Sequence, residues 1–137
     1  MKKYCVDLEI AKELKENGFP QSTEIVWCYY YDSNVRSGER IWGIMKYDKF
    51  DKINTQISAP ISDEILKELP HQIKIPCKYD PSLDYLCDLT IYKNANDFEV
   101  GYSNVYSLAL ELSFKNYKLS NALARVWLYL KKEGYIK

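Results

Sequence analysis

Apolar residues recur at helical spacing in Leu8, Ala11 and Leu14, directly after Asp7, a residue type that favours helix N-caps. Gly18 falls where a left-handed residue ends a helix, Phe19 can supply the capping contact, and Pro20 blocks continuation. This pattern predicts a first helix. Residues 24–31 are then dense in β-branched and aromatic types and predict a strand. Trp27, Tyr29 and Tyr31 share one face of it, and Val26, Cys28 and Tyr30 share the other. Apolar character on both sides predicts an interior strand. The polar stretch 32–38 reads as a loop or hairpin turn. Residues 41–45 resume a strand pattern, and 53–57 supply a short one.

Pro60 and Ser62, the expected N-cap, announce a second helix, with Asp63 and Glu64 in its first turn. Ile65, Leu66 and Leu69 form its apolar side, and Pro70 ends it. From residue 72 the period changes to two. Ile73, Ile75, Cys77 and Tyr79 alternate with polar positions, and Pro76 inside the run points to an edge strand. Further strands are expected at 85–92 and around Phe98, Val100 and Tyr102. A last one alternates Leu108, Leu110, Leu112 and Phe114 with Ser107, Ala109, Glu111 and Ser113. Residues 72–114 thus predict a four-stranded antiparallel meander with one apolar face. A final helix runs from about Ser120 to Glu133, closed by Gly134. Its stripe of Leu119, Leu123, Val126, Trp127 and Leu130 needs a partner surface, and the meander's apolar face supplies one. The expected fold is α+β: an antiparallel meander sheet with an N-terminal helix, a short middle helix and a C-terminal helix packed on one face.

The length of 137 residues fits a single domain over 1–137, and no repeat of 20–50 residues is visible. With 47% hydrophobic and 28% charged residues, wholesale disorder is excluded. Lys and Arg number 19 against 19 acidic residues, a neutral balance that argues against a duplex nucleic-acid binder. No segment approaches ~18 consecutive apolar residues, which excludes a helical membrane span. Asp7 and Glu9 stand where a signal peptide would need an apolar core, so a cytoplasmic protein with reduced thiols is expected. The 16 Lys against 3 Arg, with 12 Ile, 8 Asn and 13 Tyr, share A/T-rich codons. They point to a low-G+C bacterium or one of its phages.

The candidate chemistry is thin. Cys5, Cys28, Cys77 and Cys87 form no Cys-x-x-Cys pair, and His71 lacks the spacing of a zinc partner. Cys77 and Cys87 are placed to face each other across a hairpin, although free buried cysteine is the simpler reading. A triad would need His71 beside Cys77, Cys28 or a serine, and no nucleophile-elbow motif is present. The five glycines form no phosphate-binding frame, so no cofactor is called for. Asp80, Asp84 and Asp88 recur every four residues, and Asp48 precedes Asp51 by three. Pro81 and the strand pattern argue for turn formers over a cation-binding helix face. Glycosidase-like work by paired carboxylates depends on a separation that sequence does not carry.

The aromatic cluster of Trp27, Tyr29, Tyr30, Tyr31 and Trp42 is the most distinctive local feature. One reading is an ordinary core enriched by codon bias. The other is a binding surface in which Trp27, Tyr29, Tyr31 and Trp42 stack a base or grip a partner.

Three segments carry a resemblance: Ala11, Leu14 and Gly18 to Gln21; Ala59-Pro60, Glu64, Leu66 and Leu69-Pro70; and Ser120, Ala122 to Ala124, Trp127, Leu128 and Leu130. In order and spacing the chain resembles small uncharacterised proteins encoded in bacteriophage and prophage genomes. Each segment is a helix cap or helix face, so the resemblance implies a fold and brings no catalytic residues. The expected function is that of a non-enzymatic accessory protein of a phage or mobile element, acting through a protein partner or as a homodimer. The alternative is a module that binds a small ligand or single-stranded nucleic acid through surface aromatics. An enzyme using His71 or an aspartate pair is the third reading.

Overall fold

A computed structural model describes residues 2–31, 40–46 and 56–137, with the side chains of Tyr30 and Tyr31 excepted. The expected turn at 32–38, the Asp48–Asp51 pair and residues 53–55 of the short strand lie outside the described residues. The elements in chain order are α1 (Leu8–Glu16), β1 (Ile25–Tyr31), β2 (Arg40–Lys46), β3 (Gln56–Ser58), α2 (Ser62–Glu68), β4 (Gln72–Pro76), β5 (Asp84–Lys93), β6 (Phe98–Asn104), β7 (Leu110–Asn116) and α3 (Leu119–Lys132). The fold is α+β, with antiparallel sheets and three helices among the described residues.

Both long helices stop for the reason their sequences give. After α1, Gly18 at φ 84° donates to the Lys15 carbonyl (3.1 Å) and Phe19 to the Leu14 carbonyl (2.9 Å). After α3, Gly134 at φ 80° and Tyr135 repeat these bonds to Lys131 (3.3 Å) and Leu130 (2.9 Å). A glycine adopts this conformation without the Cβ clash, and the last carbonyls are thereby satisfied. α2 starts differently from expectation. Its N-cap is Ile61, and Ser62 is already helical. Isoleucine has no acceptor, so the Glu64 carboxylate turns back to take the Ile61 N–H (2.9 Å) and the Glu24 N–H (3.1 Å).

The sheets are two. β1 lies between β2 and β3 in one, while β4-β5-β6-β7 form the meander. β4, which carries Pro76, occupies an edge, where a residue without N–H is tolerated. One meander face brings together Ile73, Cys87, Leu89, Tyr102, Val100, Leu112 and Phe114 through the registers Ile73↔Cys87, Leu89↔Tyr102, Tyr102↔Leu112 and Val100↔Phe114. The other face is polar, with Thr90 and Ser103 hydroxyls 2.6 Å apart and Ser113 donating to Glu99 (2.9 Å). At Gly101 the strands approach so closely that a Cβ would collide with the Leu112 carbonyl oxygen of β7.

The alternation from Leu108 to Phe114 does not hold throughout. A bulge sets Tyr102 opposite Leu112 but Ser103 opposite Leu110, which turns Leu110 to the polar face. Asn104 is the cause. Its side-chain oxygen accepts the N–H groups of Tyr106 (2.9 Å) and Ser107 (3.3 Å), and its carbonyl accepts that of Leu108 (2.8 Å). The chain is drawn into a tight turn, and Leu108 leaves the core face at φ 61°.

The helices gather on the apolar face of the meander. α3 packs on β6, β7, α2 and α1, and α1 also meets β3. Leu123, Val126, Leu130 and Trp127 are buried, and Phe19 meets the Trp127 ring edge-on at 5.1 Å. Tyr102, wholly buried, donates its hydroxyl to the Pro70 carbonyl (2.6 Å), which fixes the end of α2 to β6. Burial pushes its phenol far above the ordinary tyrosine value.

Candidate functional site

The aromatic residues expected to act together are divided. Trp27 is 5% exposed and donates its indole N–H to the Val6 carbonyl (3.0 Å), so it belongs to the core. Tyr29 and Trp42, paired across β1 and β2, form a tilted stack with centroids 5.2 Å apart. Tyr29 is exposed, Trp42 is half-buried, and Lys12 Nζ lies 5.7 Å from the Trp42 ring centre. The Tyr31 side chain lies outside the described ones.

The other candidates fall apart. His71 is exposed on the surface after α2. All four cysteines are buried and none is in a disulfide, and Cys87 stands opposite Ile73 instead of Cys77. Cys77 Sγ meets the Tyr85 hydroxyl at 2.9 Å, a bond that holds the thiol below its ordinary value and raises the phenol. Asp80 holds a turn by accepting the backbone N–H (3.0 Å) and hydroxyl (2.6 Å) of Ser82, while Asp88 accepts from Gln72 (2.6 Å). Among the described residues, no group of three or more His, Cys, Asp or Glu is placed to hold a metal ion. Nor is any of their helices long and apolar enough to cross a membrane.

Two places gather features that the chain pattern did not single out. The first is the end of the meander formed by the β4–β5 and β6–β7 turns. There Tyr79 is 94% exposed, Tyr106 89%, Leu108 73% and Leu83 57%. The two turns sit side by side, since Val105 donates to the Leu86 carbonyl (3.0 Å). Isolated apolar residues on a surface need no explanation, but four on adjacent turns make a patch.

The second is a groove of about 480 Å³ at the opposite end of the sheet. Lys3 and Tyr4, the start of α2, Phe98 and residues 117–120 enclose it. Its position is set by a polar network. The Lys118 ammonium, 9% exposed, donates to Asp7 Oδ1 (2.5 Å), the Lys2 carbonyl (2.9 Å) and the Cys5 carbonyl (3.2 Å). Its three protons are thus all engaged. Asn121 donates to Asp7 Oδ2 (2.9 Å) and accepts the Asp7 backbone N–H (2.9 Å), so the α3 side chain caps α1. Tyr117 adds a bond to Asp7 Oδ2 at 3.3 Å. Burial by itself raises the Asp7 carboxyl. The bonds from Lys118 and Asn121, the Lys118 charge and the Tyr117 bond together outweigh burial and hold it below its ordinary value. Asp7 and Lys118 stand 111 residues apart, and no local pattern announces their meeting. No known protein family, curated protein or solved structure matches this chain.

Proposed function

We propose that this chain is a non-enzymatic, cytoplasmic accessory protein of a phage or mobile element, and that it acts as a homodimer through the turn end of its meander. The observation that carries this reading is the patch of Tyr79, Leu83, Tyr106 and Leu108, with Leu108 held in a left-handed conformation. A strained backbone persists only where its surroundings fix it, and an exposed leucine gains no burial in return within the monomer. A second copy suits the patch. Lys78 and Asp80 flank Tyr79 with opposite charges, so the same patch on two copies carries complementary charges. The neutral balance of the chain adds no net repulsion between copies. Four cysteines without a disulfide fit a reducing compartment, and the excess of Lys over Arg with abundant Ile, Asn and Tyr supports the origin. Light scattering tests the assembly. A dimer that Tyr79→Ser with Leu108→Ser converts to a folded monomer supports the reading. A monomeric wild type at the highest soluble concentration overturns it.

A second reading rests on the Tyr29–Trp42 pair beside Lys12, which offers a stacking face and a cation to one unpaired base. Base stacking on such a face is worth about 1–3 kcal/mol. Titration of tryptophan fluorescence with single-stranded oligonucleotides at low salt decides it: quenching lost in Trp42→Ala supports it, and a flat titration removes it.

A further inference from the structure

The groove between the N-terminal segment and α2 carries a binding role of its own. It lies at the end of the sheet away from the turn patch, so it stands whether or not the chain dimerises. The two segments run antiparallel where they meet: Val6 donates to the Pro60 carbonyl (3.1 Å), and Cys5 bridges to Ile61. Continued in that register, Lys3 would stand opposite Asp63. α2 begins at Ser62 and turns the chain out of it, so the two banks part beyond the Cys5–Ile61 bridge. The groove that opens there has a volume near 480 Å³, in the range of small-molecule pockets.

Opposite charges are left on the two banks. Lys3 and Asp63 both line the groove and both are exposed. Among the described residues, neither has an ion-pair partner. The Lys3 ammonium lies 4.9 Å from the Tyr4 ring centre, a contact that leaves it donors for an anion. The other polar groups behind the groove are closed: the Lys118 ammonium is consumed by Asp7 and two carbonyls, and Ser120 is 2% exposed. Between the two charges the wall is mainly apolar, from Tyr4, Ile61, Phe98, Tyr117 and Leu119. A ligand with a single charge would meet one attraction and one repulsion across this gap. A ligand carrying both charges meets two attractions, and three aromatic side chains favour an aromatic body, since ring contacts add to the gain from buried area. We infer that this groove binds a free α-amino acid with an aromatic side chain, its carboxylate toward Lys3, its ammonium toward Asp63 and its ring against Tyr4, Phe98 and Tyr117.

Amide NMR of the full chain tests this with L-phenylalanine as probe and with analogues that each lack one part. These are 3-phenylpropionate without the ammonium, 2-phenylethylamine without the carboxylate and L-alanine without the ring. L-Phenylalanine should give saturable shifts at residues 3–4, 61–63, 98 and 117–119, and L-alanine should bind more weakly by about tenfold or more, the value of the buried ring. Two variants separate the charges. Lys3→Ala should weaken L-phenylalanine and 3-phenylpropionate by about threefold, the scale of an exposed ion pair, and leave 2-phenylethylamine no weaker. Asp63→Asn should weaken L-phenylalanine and 2-phenylethylamine to a similar degree and leave 3-phenylpropionate no weaker. Both positions are exposed, so melting temperatures should stay close to wild type. Absence of shifts in those segments overturns the inference. So does L-alanine binding as tightly as L-phenylalanine, either variant binding L-phenylalanine as wild type, or both variants weakening the two half-ligands alike.

Discussion

Leu108 is where a single residue departs furthest from what folding alone requires. A left-handed backbone costs an L-residue with a Cβ roughly 1–2 kcal/mol. Leu108 recovers little of it by burial, being 73% exposed. Leu108→Gly removes the clash and gives back part of the gain as chain entropy. Its expected melting temperature is equal to wild type or a few degrees higher, by about 1 kcal/mol at most, while light scattering should show the proposed dimer weakened. A variant that melts lower and still assembles would mean that the leucine serves the monomer. Asp7 behaves in the opposite way. Its folded carboxyl titrates below the unfolded one, so its stabilisation is complete above the unfolded value near about pH 4 and is lost as pH falls through the lower folded value. Asp7→Asn should cost about 1 kcal/mol at pH 7, the scale of a hydrogen bond to a charged group discounted for solvent screening at a carboxylate 41% exposed. Urea midpoints of the two proteins should draw together as the pH falls below the unfolded carboxylate value of about 4. A gap that is the same above and below that value would show that Asp7 acts by packing alone.

Elements whose signals are local could be read from the chain, and those set by distant contacts could not. The ends of α1 and α3 follow from Gly18-Phe19 and Gly134-Tyr135, because each cap is closed within six residues. The meander followed from period two, and the edge position of β4 from Pro76. The bulge at Glu111 escaped that reading, because alternation through Leu108 and Leu110 survives in sequence while Asn104 redirects the backbone. The groove was hidden for a stronger reason: Lys3, Ser62, Phe98 and Ser120 meet only after α2 and α3 are docked. Packing of α3 is itself testable. Trp127 is 4% exposed and touches Phe19, so Trp127→Ala should cost about 3–5 kcal/mol in urea or thermal unfolding. That loss approaches the whole margin of a domain this size. Glu13→Ala, which breaks the exposed pair with Arg125 at 2.9 Å, should cost well under 1 kcal/mol and serves as the control.

At the scale of the whole molecule, two separate sheets raise the question of whether the chain unfolds as one unit. Trp27 and Ile57 from the three-stranded sheet belong to the same continuous cluster as Val100 and Tyr102 from the meander and Leu123 and Trp127 from α3. The N-terminal segment ties these parts together. Val6 donates to the Pro60 carbonyl (3.1 Å) and accepts from Trp27, while the Cys5 carbonyl accepts from Lys118. The two sheets share this cluster through α1, α3 and the N-terminal segment, so partial unfolding would expose core that the remainder cannot cover. Small domains with one such core unfold in a single transition. Trp27→Phe shrinks the buried ring and deletes the bond to Val6, which should cost about 1–3 kcal/mol. If the two sheets are coupled, that loss lowers the far-ultraviolet dichroism transition, to which all the strands and helices contribute, and the fluorescence transition of the remaining Trp42 and Trp127 by the same amount. Earlier melting seen by one probe alone in Trp27→Phe would divide the chain into two cooperative units and break the single-domain description.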